Sequence, residues 1–88
     1  MSEGADAARE LLEELARGLV SDPDAVAVEE FDEGDGVVLF ELAVADQDYG
    51  KVIGRGGATI KALRRVVAAA ARLRSGASRT RVMIDVVE

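Results

Sequence analysis

The spacing of apolar residues divides the chain into alternating helical and extended segments. From Asp6 to Leu19, Ala8, Leu11, Leu12, Leu15 and Leu19 recur three and four residues apart, which predicts one stripe of an amphipathic helix. Asp6 stands as its N-cap, and Ser21-Asp22-Pro23 ends it because the residue before a proline avoids the α region. Alternation then replaces the helical period. Val26 and Val28 predict a half-buried edge strand over 25–31, and Asp32-Glu33-Gly34-Asp35-Gly36 is a turn cluster. Val38, Phe40, Leu42 and Val44 share one face of a second strand over 37–44, which completes a hairpin.

The second half returns to helix. Asp46 caps a short helix reaching about Ile53, and Gly50 inside it points to close backbone packing, since glycine there costs about 1 kcal/mol relative to alanine. Gly54-Arg55-Gly56-Gly57 interrupts the helical pattern. A longer helix from Ala58 to about Arg74 places Ile60, Leu63, Val66, Val67, Ala70 and Leu73 on one broad face. Ser75-Gly76-Ala77-Ser78 is a loop, and a final strand over 79–87 alternates Val82, Ile84 and Val86. The order α-β-β-α-α-β predicts an α+β fold: a three-stranded mixed sheet with three helices on one face, because the last strand reaches its neighbour only through a helical crossover. The uncovered face would show Val37, Leu39, Met83 and Val87 among charges, a candidate contact surface. At 88 residues the chain is expected to form a single domain over 1–88.

Composition removes most alternatives to a binding module. With no Cys and no His there is no thiolate nucleophile, disulfide or imidazole; carboxylate catalysis remains formally possible, but the acidic residues scatter along solvated-looking stretches rather than beside a nucleophile, so catalytic residues, metal ligands and cofactors are all expected to be absent. No apolar run approaches the roughly 18 residues that cross a bilayer, and the first residues lack a secretory pattern. A cytoplasmic, membrane-free protein is the expectation. The formal charge of −6 argues at first against nucleic acid. Its distribution reverses that reading. Residues 1–48 hold 15 acidic side chains against Arg9 and Arg17, a net of −13, whereas residues 49–88 hold nine basic side chains against Asp85 and Glu88, a net of +7.

The basic half contains the most specific motif, Lys51-Val52-Ile53-Gly54-Arg55-Gly56-Gly57, set between two helices. Glycines turn the chain sharply and expose successive N–H groups, which at the start of a following helix favour an anion. Arg55 at the tip and Lys61 one turn on add full charge, and Arg64, Arg65 and Arg72 follow on the same flank within about a 100° arc. A Walker A sequence would need Gly-Lys-Ser or Gly-Lys-Thr, which is missing. A dinucleotide fingerprint from Gly54 would need glycine or alanine where Thr59 stands, and would follow a strand. A GxxG loop flanked by helices, clamping the backbone of single-stranded nucleotides, fits.

Val52-Ile53-Gly54-Arg55-Gly56-Gly57-Ala58-Thr59-Ile60-Lys61 resembles the signature of KH domains, and the element order resembles their type II, bacterial arrangement. Across nearly the whole chain, from about Ala7 to Val87, the sequence is similar to the small stand-alone bacterial KH proteins of the KhpA/YlqC family. That resemblance implies single-stranded RNA in a groove beside the loop. Gly54, Arg55, Gly56 and Gly57 would hold phosphates, Ile53 and Ile60 would floor the groove, Lys61 and Arg64 would flank the backbone, and residues 82–84 would line the far wall. It also implies a homodimer, or a heterodimer with a larger KhpB/Jag-type KH protein. The implied role is RNA chaperone or post-transcriptional regulator, linked to cell-wall homeostasis and cell length.

Plainer readings stand beside these. Ile53 and Ile60 serve a core edge as readily as a groove floor, and a basic helix stripe can be a solvated face. The acidic half can be solubilising surface or can attract a basic partner. The chain could also keep the KH shape and act mainly as a protein-interaction subunit with little RNA affinity. Phe31, Phe40 and Tyr49 are the only aromatics, too few for a stacking platform, so weak and degenerate recognition is expected.

Overall fold

The computed structural model describes residues 3–75 and 80–87. Helix α1 spans Glu3–Leu19, strand β1 Ala27–Gly34, β2 Val37–Ala43, helix α2 Tyr49–Ile53, α3 Ala58–Ser75 and β3 Arg81–Val87. Short 3-10 turns occupy Pro23–Ala25, Asp46–Asp48 and Arg55–Gly57. The strands form one sheet in the order β1-β2-β3, antiparallel between β1 and β2 and parallel between β2 and β3. This is the α+β arrangement expected from the apolar pattern. The parallel pairing is possible because α2 and α3 carry the chain back to the starting edge of β2.

The core lies between the sheet and the helices. Phe40 and Leu42 of β2 and Ile84 and Val86 of β3 meet Ala8, Leu12 and Ala16 of α1, Val52 of α2, and Ile60, Leu63, Val67 and Ala71 of α3. Alanines on both α1 and α3 keep side-chain bulk low where the two helices pack together. The opposite face of the sheet is uncovered. It carries the cross-strand row Phe31–Leu39–Met83 and, beside it, the wholly acidic row Glu29–Glu41–Asp85.

Several local expectations are corrected. Helix α1 already includes Glu3, so Asp6 is not a cap but sits inside it, 3.9 Å from Arg9. Leu19, expected on the buried stripe, is 40% exposed, while Ala5 and Ala16 take buried positions. Strand β1 starts at Ala27 because Pro23–Ala25 form a 3-10 turn, and it runs to Gly34 through an irregularity between Asp32 and Gly34. The reversal is confined to Asp35 and Gly36, both at positive φ, as a tight hairpin turn requires. The 46–53 segment is a 3-10 turn followed by α2, and Asp46 makes no capping hydrogen bond. Gly50 does not mark close packing either, since a Cβ placed there would meet nothing within 4 Å.

On α3, Val66 is half exposed and Leu73 is 83% exposed, contrary to the expected broad face. The buried stripe is Ile60, Leu63, Val67 and Ala71, and at 100° per residue Val66 and Leu73 fall more than about 100° from its centre. Ser75, expected in a loop, closes α3. The rest of that loop and the expected strand start at 79 lie outside the described residues.

Two substitutions separate core from surface. Phe40→Ala should lower unfolding free energy by about 3–5 kcal/mol, as large-to-small changes do in a closed core. Leu73→Ala should stay within about 0.5 kcal/mol of the parent in the same urea titration.

Candidate nucleic-acid interface

The glycine loop is held by its own backbone. The Gly54 N–H donates to the Gly50 carbonyl at 2.9 Å, closing α2, and the Gly57 N–H donates to the Gly54 carbonyl at 3.1 Å. The Ala58 N–H donates to the Arg55 carbonyl at the start of α3. Those of Arg55 and Gly56 have no acceptor within the loop and remain available. Gly54, Gly56 and Gly57 all have positive φ, at 76°, 61° and 79°. Gly54 is further constrained by space, because a Cβ there would strike the Thr59 side chain and lie 2.8 Å from the Thr59 nitrogen. Gly56, by contrast, faces open space. One glycine therefore builds the turn and another presents it.

A buried carboxylate fixes the other end of α2. Asp48 is fully buried, and its Oδ1 accepts the Ser21 N–H at 3.0 Å and the Ser21 hydroxyl at 2.8 Å. Its Oδ2 accepts the Asp22 N–H at 3.1 Å, and Lys51 Nζ lies 3.2 Å from Oδ1. The Ser21 backbone hydrogen bond is the largest influence on this acid. Burial opposes it, but the Ser21 hydroxyl, the Asp22 N–H and Lys51 reinforce it, and the pKa is lowered to about 2. The α1–β1 connection is thus tied to the helix that leads into the glycine loop.

The structure gathers the expected residues at one end of α2 and α3 but gives them different environments. Arg55 and Gly56 are exposed, Gly54 and Gly57 are half-buried, and Lys61 is exposed with its Cε 3.9 Å from where a Gly57 Cβ would sit. Ile53 is half-buried against the core, and Ile60 is part of the core itself. Arg64 reaches from α3 to β3 and donates to the Ile84 carbonyl at 3.4 Å. Among the described residues, every ion pair involves Arg9, Arg17 or Lys51. Arg55, Lys61, Arg64, Arg65, Arg72 and Arg81 have no carboxylate partner among the described residues. Residue-by-residue reading of the sequence missed Thr59, Asp48 and Ser21. Thr59 carries no charge, and the Asp48–Ser21 contact joins residues 27 apart.

A family model described as KhpA/KhpB, KH domain, matches residues 9–84. The RNA-binding protein KhpA of Halalkalibacterium halodurans is 45% identical over 78 residues, covering 89% of this chain and 96% of that protein. The RNA-binding protein KhpA of Thermotoga maritima is 46% identical over 61 residues, covering 69% and 80%. The one from Clostridium acetobutylicum is 48% identical over 63 residues, covering 72% and 83%. Among solved structures, Era from Aquifex aeolicus bound to GDP and aluminium fluoride superposes with a TM-score of 0.69 at 23% identity. Era in complex with MgGDPNP and a segment of 16S ribosomal RNA does so equally. Each superposition covers 91% of this chain but only 30% of the Era chain, and it shows likeness of fold.

The Asp48 anchor has a pH signature. Its folded pKa lies below the ordinary 3.8, so its contribution to stability is present above that value and lost as pH falls towards about 2. Asp48→Asn should therefore melt several degrees below the parent at neutral pH, and the gap should close between about pH 4 and pH 2 in circular-dichroism melts. A gap that persists unchanged at pH 2 would show that the charge of Asp48 is not what holds the connection.

Proposed function

The chain belongs to the KhpA/KhpB family of KH domains, and on that premise we propose that it binds single-stranded RNA through backbone phosphates at the Gly54–Gly57 loop. The observation that carries this reading is the coincidence of free donors with free charge. The Arg55 and Gly56 N–H groups lack acceptors in the loop, and the cations beside them, Arg55 and Lys61, lack carboxylate partners among the described residues. The names of the relatives, RNA-binding protein KhpA, point the same way. A phosphate would accept from the loop N–H groups while Lys61, and Arg64 once released from Ile84, flank the next phosphates. Ile53 would offer the exposed part of its side chain to a base, with Ile60 supporting it from the core.

The wider role is an RNA chaperone or post-transcriptional regulator, with cell-wall homeostasis and cell length as the process served; its support is the family resemblance. No helix among the described residues is long and apolar enough to cross a membrane. A cytoplasmic location is part of the same reading.

One feature favours protein pairing alongside RNA binding. Between α1 and α3 lies a mostly apolar concavity of about 470 Å³ lined by Leu15, Leu19, Leu63 and Val66, with Glu14 and Thr59 also at its wall. The half-exposed Leu19 and Val66 on its rim suit a second copy or a larger KhpB-type KH protein. Such pairing would add avidity to a single weak site.

The RNA reading is tested with the Arg55→Asp/Gly56→Asp double variant. Gly56 has room for a side chain, and aspartate tolerates positive φ, so the fold should survive. Fluorescence anisotropy with a labelled single-stranded RNA should show loss of binding for the variant. For the parent, neutralising three or four phosphates predicts a slope of log affinity against log salt of roughly −2 to −3. A slope near zero, or equal binding by the variant, would favour the interaction-subunit reading.

A further inference from the structure

The sheet face turned away from the helices is ordered in rows that cross the three strands. Strand pairing sets Ala27, Ala43 and Val87 abreast, then Glu29, Glu41 and Asp85, then Phe31, Leu39 and Met83. An acidic row therefore lies between two apolar ones, each about 6.7 Å from the next. We propose that this face docks a basic amphipathic helix of another protein, with Lys or Arg on the acidic row and apolar side chains on the rows to either side. The proposal stands apart from the RNA-binding reading, because no residue of the glycine loop or of α3 enters it.

The apolar rows give such a helix something to bury. Phe31 and Met83 are 37% and 53% exposed, large side chains left in water on either side of Leu39. Across the acids, Ala27 and Ala43 are too small to fill the surface beside Val87, and a hollow of about 330 Å³ remains there with Glu29 and Glu41 at its wall. A leucine-sized side chain can enter it while a cation on the next turn reaches the carboxylates. The dimensions also fit. Three strands about 4.8 Å apart span about 10 Å, the diameter of one helix. Rows about 6.7 and 13 Å from the first match positions i+4 and i+8 of a helix, which rise about 6 and 12 Å along one face.

Charge selects the occupant. Glu29, Glu41 and Asp85 have no basic partner among the described residues, and side by side they repel one another until a cation arrives. No group of acids among the described residues is placed to hold a metal ion, which leaves basic side chains. An RNA backbone or an anionic lipid surface would add to the repulsion. A second copy laid squarely sheet to sheet would stack acid on acid. Nor does either long helix of a copy match: α1 is rich in acids, and on the outer face of α3 it is Ala69, not a cation, that stands between the exposed Val66 and Leu73.

Two stapled helical peptides test the proposal. Both are built on alanine and glutamine with Leu at positions i and i+8, and they differ only in carrying Arg or Glu at i+4. Titrated into the isotope-labelled full chain, the arginine peptide should shift the amides of Leu39, Glu41, Ala43, Met83 and Asp85 and bind about tenfold tighter than the glutamate peptide. Glu41→Lys sets a cation between Glu29 and Asp85, which favours the fold, and should reverse the preference between the two peptides. Met83→Ala, at an exposed position, should weaken the arginine peptide about threefold and leave the preference as it was. Arg55→Asp/Gly56→Asp should bind the peptide like the parent, whatever it does to RNA. The proposal is overturned if the arginine peptide leaves the sheet amides unmoved, if the two peptides bind alike, or if the preference survives Glu41→Lys. It is also overturned if sedimentation finds the parent self-associated and Glu41→Lys monomeric, since a second copy then covers the face.

Discussion

The close approach of Gly54 to Thr59 is the constraint on which the functional end of the molecule depends. Val52 of α2 and Ile60 of α3 both enter the core, yet only Gly54 to Thr59 and the intervening loop separate the two helices' apolar faces. The chain can reverse so tightly because Gly54 has no Cβ to strike Thr59 and accepts a φ of 76°. Once that contact is made, Arg55 and Gly56 project outward with unused N–H groups. At the far end of α2, Asp48 ties the helix to Ser21 and Asp22. The loop is thus suspended between a backbone contact and a buried carboxylate, which fixes its donors before any ligand arrives.

Charge is distributed in keeping with this geometry. Asp6, Glu13 and Glu14 of α1 pair with Arg9 and Arg17, and the open sheet face carries Glu29, Glu41 and Asp85 side by side. Like charges opposite one another on a sheet cost about 0.2–1 kcal/mol per pair, so that row works against stability. Its field, with that of the hairpin, disfavours nucleic acid on the sheet side and favours the side where, among the described residues, the cations of the loop and α3 have no carboxylate partner. A net charge of −6 is compatible with an anionic ligand because Arg55, Lys61, Arg64, Arg65 and Arg72 gather on the loop and α3, stretches of sequence that hold no acid.

The element order and sheet were legible in the sequence because burial against a single sheet imposes periods of two and of three to four on the apolar residues. The glycine loop was legible because positive φ without a Cβ leaves a compositional trace. Caps were not. In a half with 15 acids, an aspartate such as Asp6 or Asp46 has the same signature inside a helix, in a turn or at a cap. The edge of the core was misplaced at Leu73 and Val66 because α3 carries more apolar residues than the sheet and α1 can cover. Asp48–Ser21 and Arg64–Ile84 were invisible because tertiary hydrogen bonds between residues 27 and 20 apart impose no local period.

In the proposed function, the side of the molecule that carries the glycine loop and the basic flank of α3 receives the RNA backbone. Amide chemical-shift mapping during titration with a short single-stranded RNA tests it most directly. Shifts are expected at Arg55, Gly56, Gly57 and Lys61 and along the flank of α3 that carries Arg64, with β1 and the Glu29–Glu41–Asp85 row unmoved. Shifts centred on the open sheet face or on α1, with the loop amides silent, would contradict it.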